Sequence, residues 1–174
     1  EGGYFTAKIE PGKKPFVRYW LHTGFLNVKG QKMAKSLGNF TTIRDALKKY
    51  SPKALRFFYL SAHYRSPIDF SEELLEQAKN SLERLNEFAR KLRRINEKDD
   101  IILIEKTRNG FLKCMDDDFD TPKALAVIFD FVKDVNKSGG GKKSYELMVE
   151  IDKIFNVLTL EDAEIPDEIK KLVE

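Results

Sequence analysis

The sequence predicts a mainly α-helical protein in which a small β-containing connecting fold is followed by an antiparallel helical bundle. Three observations carry that reading. From about residue 41 onward, apolar side chains recur at spacings of three and four. Serine, threonine or aspartate stands at the head of most of these runs, where a helix needs a side-chain acceptor. Strand-like alternation is confined to residues 16–28. The 174 residues are 41% hydrophobic with a net charge of only +3, which excludes a disordered chain and leaves enough apolar surface for an ordinary core.

Residues 1–14, with Gly2, Gly3, Pro11 and Gly12, read as an irregular lead-in. Phe16 to His22 is aromatic and alternating and predicts a strand. Gly24 to Val28 predicts a second, with Lys29-Gly30 as the turn. Gln31 to Asn39 is polar, basic and glycine-containing and predicts an exposed loop. Thr41 or Thr42 then caps a helix with Ile43, Ala46, Leu47 and Tyr50 on one face. Ser51-Pro52 starts the next, and Arg65-Ser66-Pro67 ends the helical region because the residue before proline avoids helical dihedrals.

Ser71 caps the longest helix, with Glu72 and Glu73 placed favourably against its N-terminal dipole. Leu74, Leu75, Ala78, Leu82, Leu85, Ala89, Leu92 and Ile95 form its apolar stripe, and Lys98-Asp99-Asp100 closes it. A helix from about Ile102 to Met115 follows. Asp120-Thr121-Pro122 opens another, with Leu125, Ile128, Phe129, Val132 and Val135 inward. Ser138-Gly139-Gly140-Gly141 reads as a flexible connection, Tyr145 to Leu158 as a helix, and Pro166 as the start of a short terminal one. The expected division is residues 1–70 and residues 71–174.

Charge is unevenly spread: +7 over residues 1–50, +1 over 51–100 and −5 over 101–174. Any contact with a polyanion is therefore expected early in the chain, although plain solvation of mixed-charge faces gives the same balance. No apolar run approaches the roughly 18 residues of a membrane span, and the start of the chain lacks a basic-then-apolar leader pattern. A single cysteine, Cys114, excludes an internal disulfide framework and suits a reducing compartment. The expectation is a cytoplasmic, monomeric protein with no membrane contact.

Few residue sets could carry chemistry. Cys114, His22 and His63 lack paired spacing, so no metal site is expected from this chain. Asp116-Asp117-Asp118-Phe119-Asp120 has threonine and valine where a calcium loop needs glycine and glutamate, and reads as an interhelical corner capped by Asp120 or Thr121. Arg90-Lys91-Leu92-Arg93-Arg94 is the best basic patch, though a solvated helix face has the same composition. The segment Lys32-Met33-Ala34-Lys35-Ser36-Leu37-Gly38-Asn39 differs. Two lysines three apart in a glycine-containing loop can close over a polyphosphate and neutralise charge that develops during displacement, although bare lysine pairs are common and usually just solvated.

Lys32-Met33-Ala34-Lys35-Ser36 resembles the KMSKS signature of class I aminoacyl-tRNA synthetases, with Ala34 in place of the central serine. Tyr19 to Phe25, Ser36 to Phe40, Leu55 to Phe58, Ser61 to Ser66 and Met115 to Pro122 resemble the cysteinyl-tRNA synthetases specifically. Ala54-Leu55-Arg56 matches the end of the motif naming that family's bundle, with Lys53 in place of its usual aspartate. The resemblance implies activation of cysteine by ATP, giving cysteinyl-adenylate and pyrophosphate, then transfer to cysteine-specific tRNA. It implies that Lys35 contacts the ATP phosphates and that Lys32 assists closure of the loop. Residues 1–70 would end the catalytic domain, with residues 42–65 as a fold touching the inside of the tRNA; residues 71–174 would be the anticodon-side bundle.

The resemblance also implies zinc in the intact enzyme, but the family's zinc ligands and its His-Ile-Gly-His type motif have no match here, and Glu1 is not assigned as a ligand. A C-terminal portion of the enzyme, inactive on its own, is therefore expected. Two other readings share these features: a related cysteine ligase of thiol biosynthesis, and a non-catalytic helical module binding tRNA or protein.

Overall fold

Lys29 and Gly30 both have positive φ (53° and 74°), the backbone of a tight turn whose twist matches paired strands. They fold β1 (Leu26–Val28) against β2 (Gln31–Lys32) in the computed structural model, which describes Val17, residues 19–95 and residues 97–160. β1 and β2 are antiparallel, with Asn27 opposite Lys32. β3 (Ile68–Asp69) lies parallel to β1 on its other side, Leu26 opposite Ile68. The sheet order is thus β2-β1-β3.

That order explains a departure from expectation. The strand expected over Phe16 to His22 is not formed by its described members, Val17 and residues 19–22 (Phe16 and Arg18 lie outside the described residues). Both edges of β1 are already taken, so a hairpin partner preceding it has nowhere to pair. Tyr19, Trp20 and Leu21 are instead exposed. The hairpin falls one element later and draws Gln31 and Lys32 out of the expected loop.

The helices begin where their caps predict. Thr42 accepts from the Asp45 amide and starts α1 (Ile43–Lys49); Ser51 accepts from Ala54 N and starts α2 (Pro52–Leu60). Ser71 accepts from Leu74 N and starts α3 (Glu72–Arg94). Asp100 caps α4 (Ile101–Asp116), and Asp120 caps α5 (Thr121–Ser138). α2 packs on α3, α4 on α5, and α6 (Lys142–Phe155) against both α3 and α4. The shared core includes the edge-to-face pairs Phe88–Phe131 and Phe111–Phe155. Among the described residues, no helix is long and apolar enough to cross a membrane.

Three details depart from the sequence reading. The glycines after Ser138 are a packed joint: a Cβ on Gly140 would lie 2.5 Å from Val135 Cγ1, and one on Gly141 would lie 2.3 Å from the Glu97 carbonyl oxygen. α6 starts at Lys142 rather than Tyr145 because its cap comes from elsewhere. Asp99 accepts from Gly141 N at 2.8 Å, Lys143 N at 3.0 Å and Ser144 N at 3.0 Å. On α1 only Ala46 is buried; Ile43 is 73% exposed and, with Leu47, borders an open groove. The helix expected from Pro166 lies outside the described residues.

Candidate phosphate-binding loop

Strand pairing fixes where Lys32 sits, because it ends β2 opposite Asn27. Met33 N then donates to Leu26 O at 2.8 Å, and Ala34 is extended (φ −149°, ψ 144°). One short 3-10 turn, Lys35–Leu37, follows, closed by Gly38 N donating to Lys35 O at 3.2 Å. Gly38 has φ 65°, a left-handed conformation that glycine adopts at no steric cost. Two bonds from one side chain complete the loop: Asn39 Oδ1 accepts from Ala34 N at 2.9 Å, and Asn39 Nδ2 donates to Lys32 O at 3.3 Å.

Lys32 and Lys35 are both exposed, and no carboxylate of the described residues pairs with either. Their neighbours are aromatic faces. Lys32 Nζ lies 4.0 Å from the centroid of the Phe25 ring, and Lys35 Nζ lies 5.5 Å from that of Phe40. A cation over a ring is held weakly and keeps most of its hydration, so both ammonium groups can turn to an incoming anion. The loop therefore presents two cations on an ordered backbone with no internal counter-ion. A groove of about 740 Å³ lies nearby, lined largely by apolar groups such as Leu26, Ile43, Leu55 and Tyr59, and neither lysine lines it.

The other candidate residues are dispersed. His63 is stacked on Tyr64 and faces Asp118, its Nε2 3.7 Å from Asp118 Oδ2. Asp118 also accepts from Tyr64 Oη at 2.7 Å and pairs with Arg65 Nε at 3.0 Å. The Tyr64 hydrogen bond foremost, with the charges of Arg65 and His63, holds the Asp118 carboxyl below the usual aspartate range despite some desolvation. This junction ties the Ser61–Ser66 block to the Met115–Pro122 corner, where Asp117, Asp118 and Asp120 pair with basic side chains. Cys114 is a half-buried free thiol packed against the core. His22 is exposed. Among the described residues, no three His, Cys, Asp or Glu side chains converge as a metal site.

The basic run on α3 is largely engaged within the protein. Arg90 pairs with Glu83, Lys91 donates to Asn136 Oδ1 at 3.0 Å, and Arg93 donates to Leu160 O at 3.0 Å, while Leu92 is buried. Lys53 and Arg56, both on α2, donate to the Leu158 and Phe155 carbonyl oxygens respectively. Arg56 thus meets the C-terminal end of α6, where the helix dipole favours a cation, and Lys53 meets the segment just beyond it. Asn39 is the loop residue to which the sequence assigned no role. A lone asparagine after glycine reads equally well as a plain turn residue.

Comparison with known proteins bears on both halves of the chain. A family model described as the class I (C) tRNA synthetase catalytic domain matches residues 6–80, and the DALR domain model matches residues 110–160. The chain is 47% identical over 134 residues to the cysteine–tRNA ligase of Thermococcus onnurineus (strain NA1), covering 70% of this chain and 28% of that one. It is 39% identical over 178 residues to the cysteine–tRNA ligase of Geobacillus sp. (strain WCH70), covering 92% and 38%. The chain belongs to the cysteine–tRNA ligase family.

It spans well under half the length of the curated cysteine–tRNA ligases it matches: that of Lactococcus lactis subsp. lactis (strain IL1403), 36% identical, aligns with 97% of this chain and 37% of its own. Among solved structures, the Agrobacterium radiobacter K84 agnB2 LeuRS–tRNA–LeuAMS ternary complex superposes with a TM-score of 0.61 over 76% of this chain and 20% of that one. At 20% identity that likeness concerns the fold alone. The lysine loop falls within the catalytic-domain match and the Asp118 corner within the DALR match of this cysteine–tRNA ligase relative.

Proposed function

We propose that this chain supplies the phosphate-clasping loop and the helical bundle of a cysteine–tRNA ligase. In that reaction the cysteine carboxylate attacks the α-phosphorus of ATP, forming cysteinyl-adenylate and releasing pyrophosphate. The tRNA terminal hydroxyl then attacks the activated carbonyl and releases AMP. Lys35 contacts the triphosphate, and Lys32 closes the loop upon it. Their positive charge offsets the negative charge that accumulates on the departing pyrophosphate, an effect worth most where water is excluded. The observation that carries the reading is a pair of exposed lysines with no carboxylate partner among the described residues, on an ordered loop inside the catalytic-domain match.

Roles divide at residues 70 and 71 in this proposal. Residues 1–70 hold the end of the catalytic unit and residues 71–174 the tRNA-side bundle; the catalytic-domain match runs past that boundary to residue 80, and the DALR match lies wholly beyond it. The +7 balance over residues 1–50 favours polyanion contact on the loop side. The described side chains do not fit zinc, since Cys114, His22 and His63 are dispersed, and no step is routed through a metal.

Substrate class is tested with a full-length ligase carrying this sequence. Attachment of cysteine to cysteine-specific tRNA, through a complex that weakens steeply with salt, is the expected result. Attachment of cysteine to an amino sugar, with no tRNA complex at low salt, would overturn it.

A further inference from the structure

We infer that Asn39 is a positioning residue that clamps the backbone of the lysine loop and so holds Lys32 and Lys35 ready for a polyphosphate. The inference rests on the phosphate-clasping role proposed above and deepens it. Asn39 bonds only to main-chain groups of the segment that carries the two lysines, Ala34 N and Lys32 O. Its amide orientation is fixed by those partners, because Ala34 N can only donate and Lys32 O can only accept. The clamp therefore uses both ends of the asparagine head and neither ammonium group.

Its geometry is what an eight-residue loop needs to keep two cations in place. Lys32 is anchored on one side by pairing to Asn27. Beyond it, Ala34 is extended, and the single 3-10 turn contributes only short-range bonds. Without a cross-link from position 39, nothing among the described hydrogen bonds ties the turn bearing Lys35 back to the strand bearing Lys32. A loop ordered before binding does not lose that freedom on capturing its ligand.

The test uses the 174-residue chain, tripolyphosphate as probe, and backbone amide resonances of residues 31–40. The Ala34 amide should exchange slowly in the parent chain and in Lys35→Ala, and fast in Asn39→Ala. It should stay slow in Asn39→Asp, whose carboxylate replaces the lost acceptor. Tripolyphosphate should bind the Asn39→Ala chain roughly five- to tenfold more weakly than the parent, and Lys35→Ala at least tenfold more weakly. Unchanged binding in Asn39→Ala, or unchanged Ala34 exchange there, would overturn the clamp. Unchanged binding in Lys35→Ala would instead overturn the phosphate reading, and with it the purpose assigned to the clamp. Unaltered bundle resonances confirm that each variant is folded.

Discussion

Replacing Asp99 with alanine removes the cap of a helix that begins more than forty residues further along the chain. The carboxylate accepts the Gly141, Lys143 and Ser144 amides and also the Ser144 hydroxyl, the last at 2.7 Å. Loss of an N-cap acceptor costs about 1 kcal/mol, and loss of a negative charge at a helix N-terminus costs about 0.5 kcal/mol. Ser144 is only 1% exposed, so its orphaned hydroxyl adds roughly 1–2 kcal/mol. The expected destabilisation is about 3 kcal/mol, a fall of roughly 6–12 °C in Tm for a chain of this size. Asp100→Ala, which removes one ordinary cap bond to Leu103 N, should cost about 1 kcal/mol.

Thermal unfolding followed by circular dichroism compares the two. A shift for Asp99→Ala no larger than that for Asp100→Ala would show that the four-bond cluster adds nothing to an ordinary cap. Burial raises the Asp99 pKa, but the hydrogen bonds from Ser144, Gly141 and Lys143 outweigh it, so the net shift is below the ordinary 3.8. A carboxyl whose folded-state pKa is depressed stabilises the fold above its unfolded value. The Asp99 contribution should therefore be whole at neutral pH and fade as the pH falls below about 4.

Gly140→Ala should destabilise by about 1–3 kcal/mol, because the added methyl meets Val135 Cγ1 and Ser144 Oγ in a closed joint; a melting curve identical to the parent's would show that the joint gives way. Asp118→Asn should speed amide exchange over residues 63–66 and 117–120 while leaving Tm nearly unchanged, since its ion pairs are solvent-screened; unaltered exchange would mean that the junction is not held by that carboxylate.

Much of the bundle was legible because helix starts are local. Thr42, Ser51, Ser71 and Asp120 each bond to an amide three residues ahead, so cap and helix lie within one short window. Asp99 escapes that window, so the sequence points to Tyr145 where α6 in fact starts at Lys142. The glycine run before α6 carries the composition of a linker. Only tertiary structure shows that Glu97 and Val135 close upon it. The stretch from Tyr19 to Leu21 has strand-like residues, yet strand formation needs a free partner edge, and β3 had taken it from forty residues away. Periodicity gave α1 its apolar face without showing that Ile43 and Leu47 border a groove rather than the core.

At the candidate loop, residue type alone marked Lys32 and Lys35, and their spacing carried the resemblance. The asparagine that braces them was invisible as a brace, because its partners are backbone atoms without residue identity. His63 and Asp118 likewise had no sequence signal for their proximity, since they stand far apart in the chain and meet where Thr121 Oγ1 donates to the Ala62 carbonyl oxygen.

Cysteine-dependent ATP–pyrophosphate exchange, measured in a full-length ligase carrying this sequence and in its Lys35→Ala variant, tests the phosphate-clasping role most directly. The variant should lose a factor of about 10² to 10³ in rate with its tRNA affinity intact, because the proposed role of Lys35 is charge stabilisation at the departing pyrophosphate. An exchange rate equal to the parent's would contradict it.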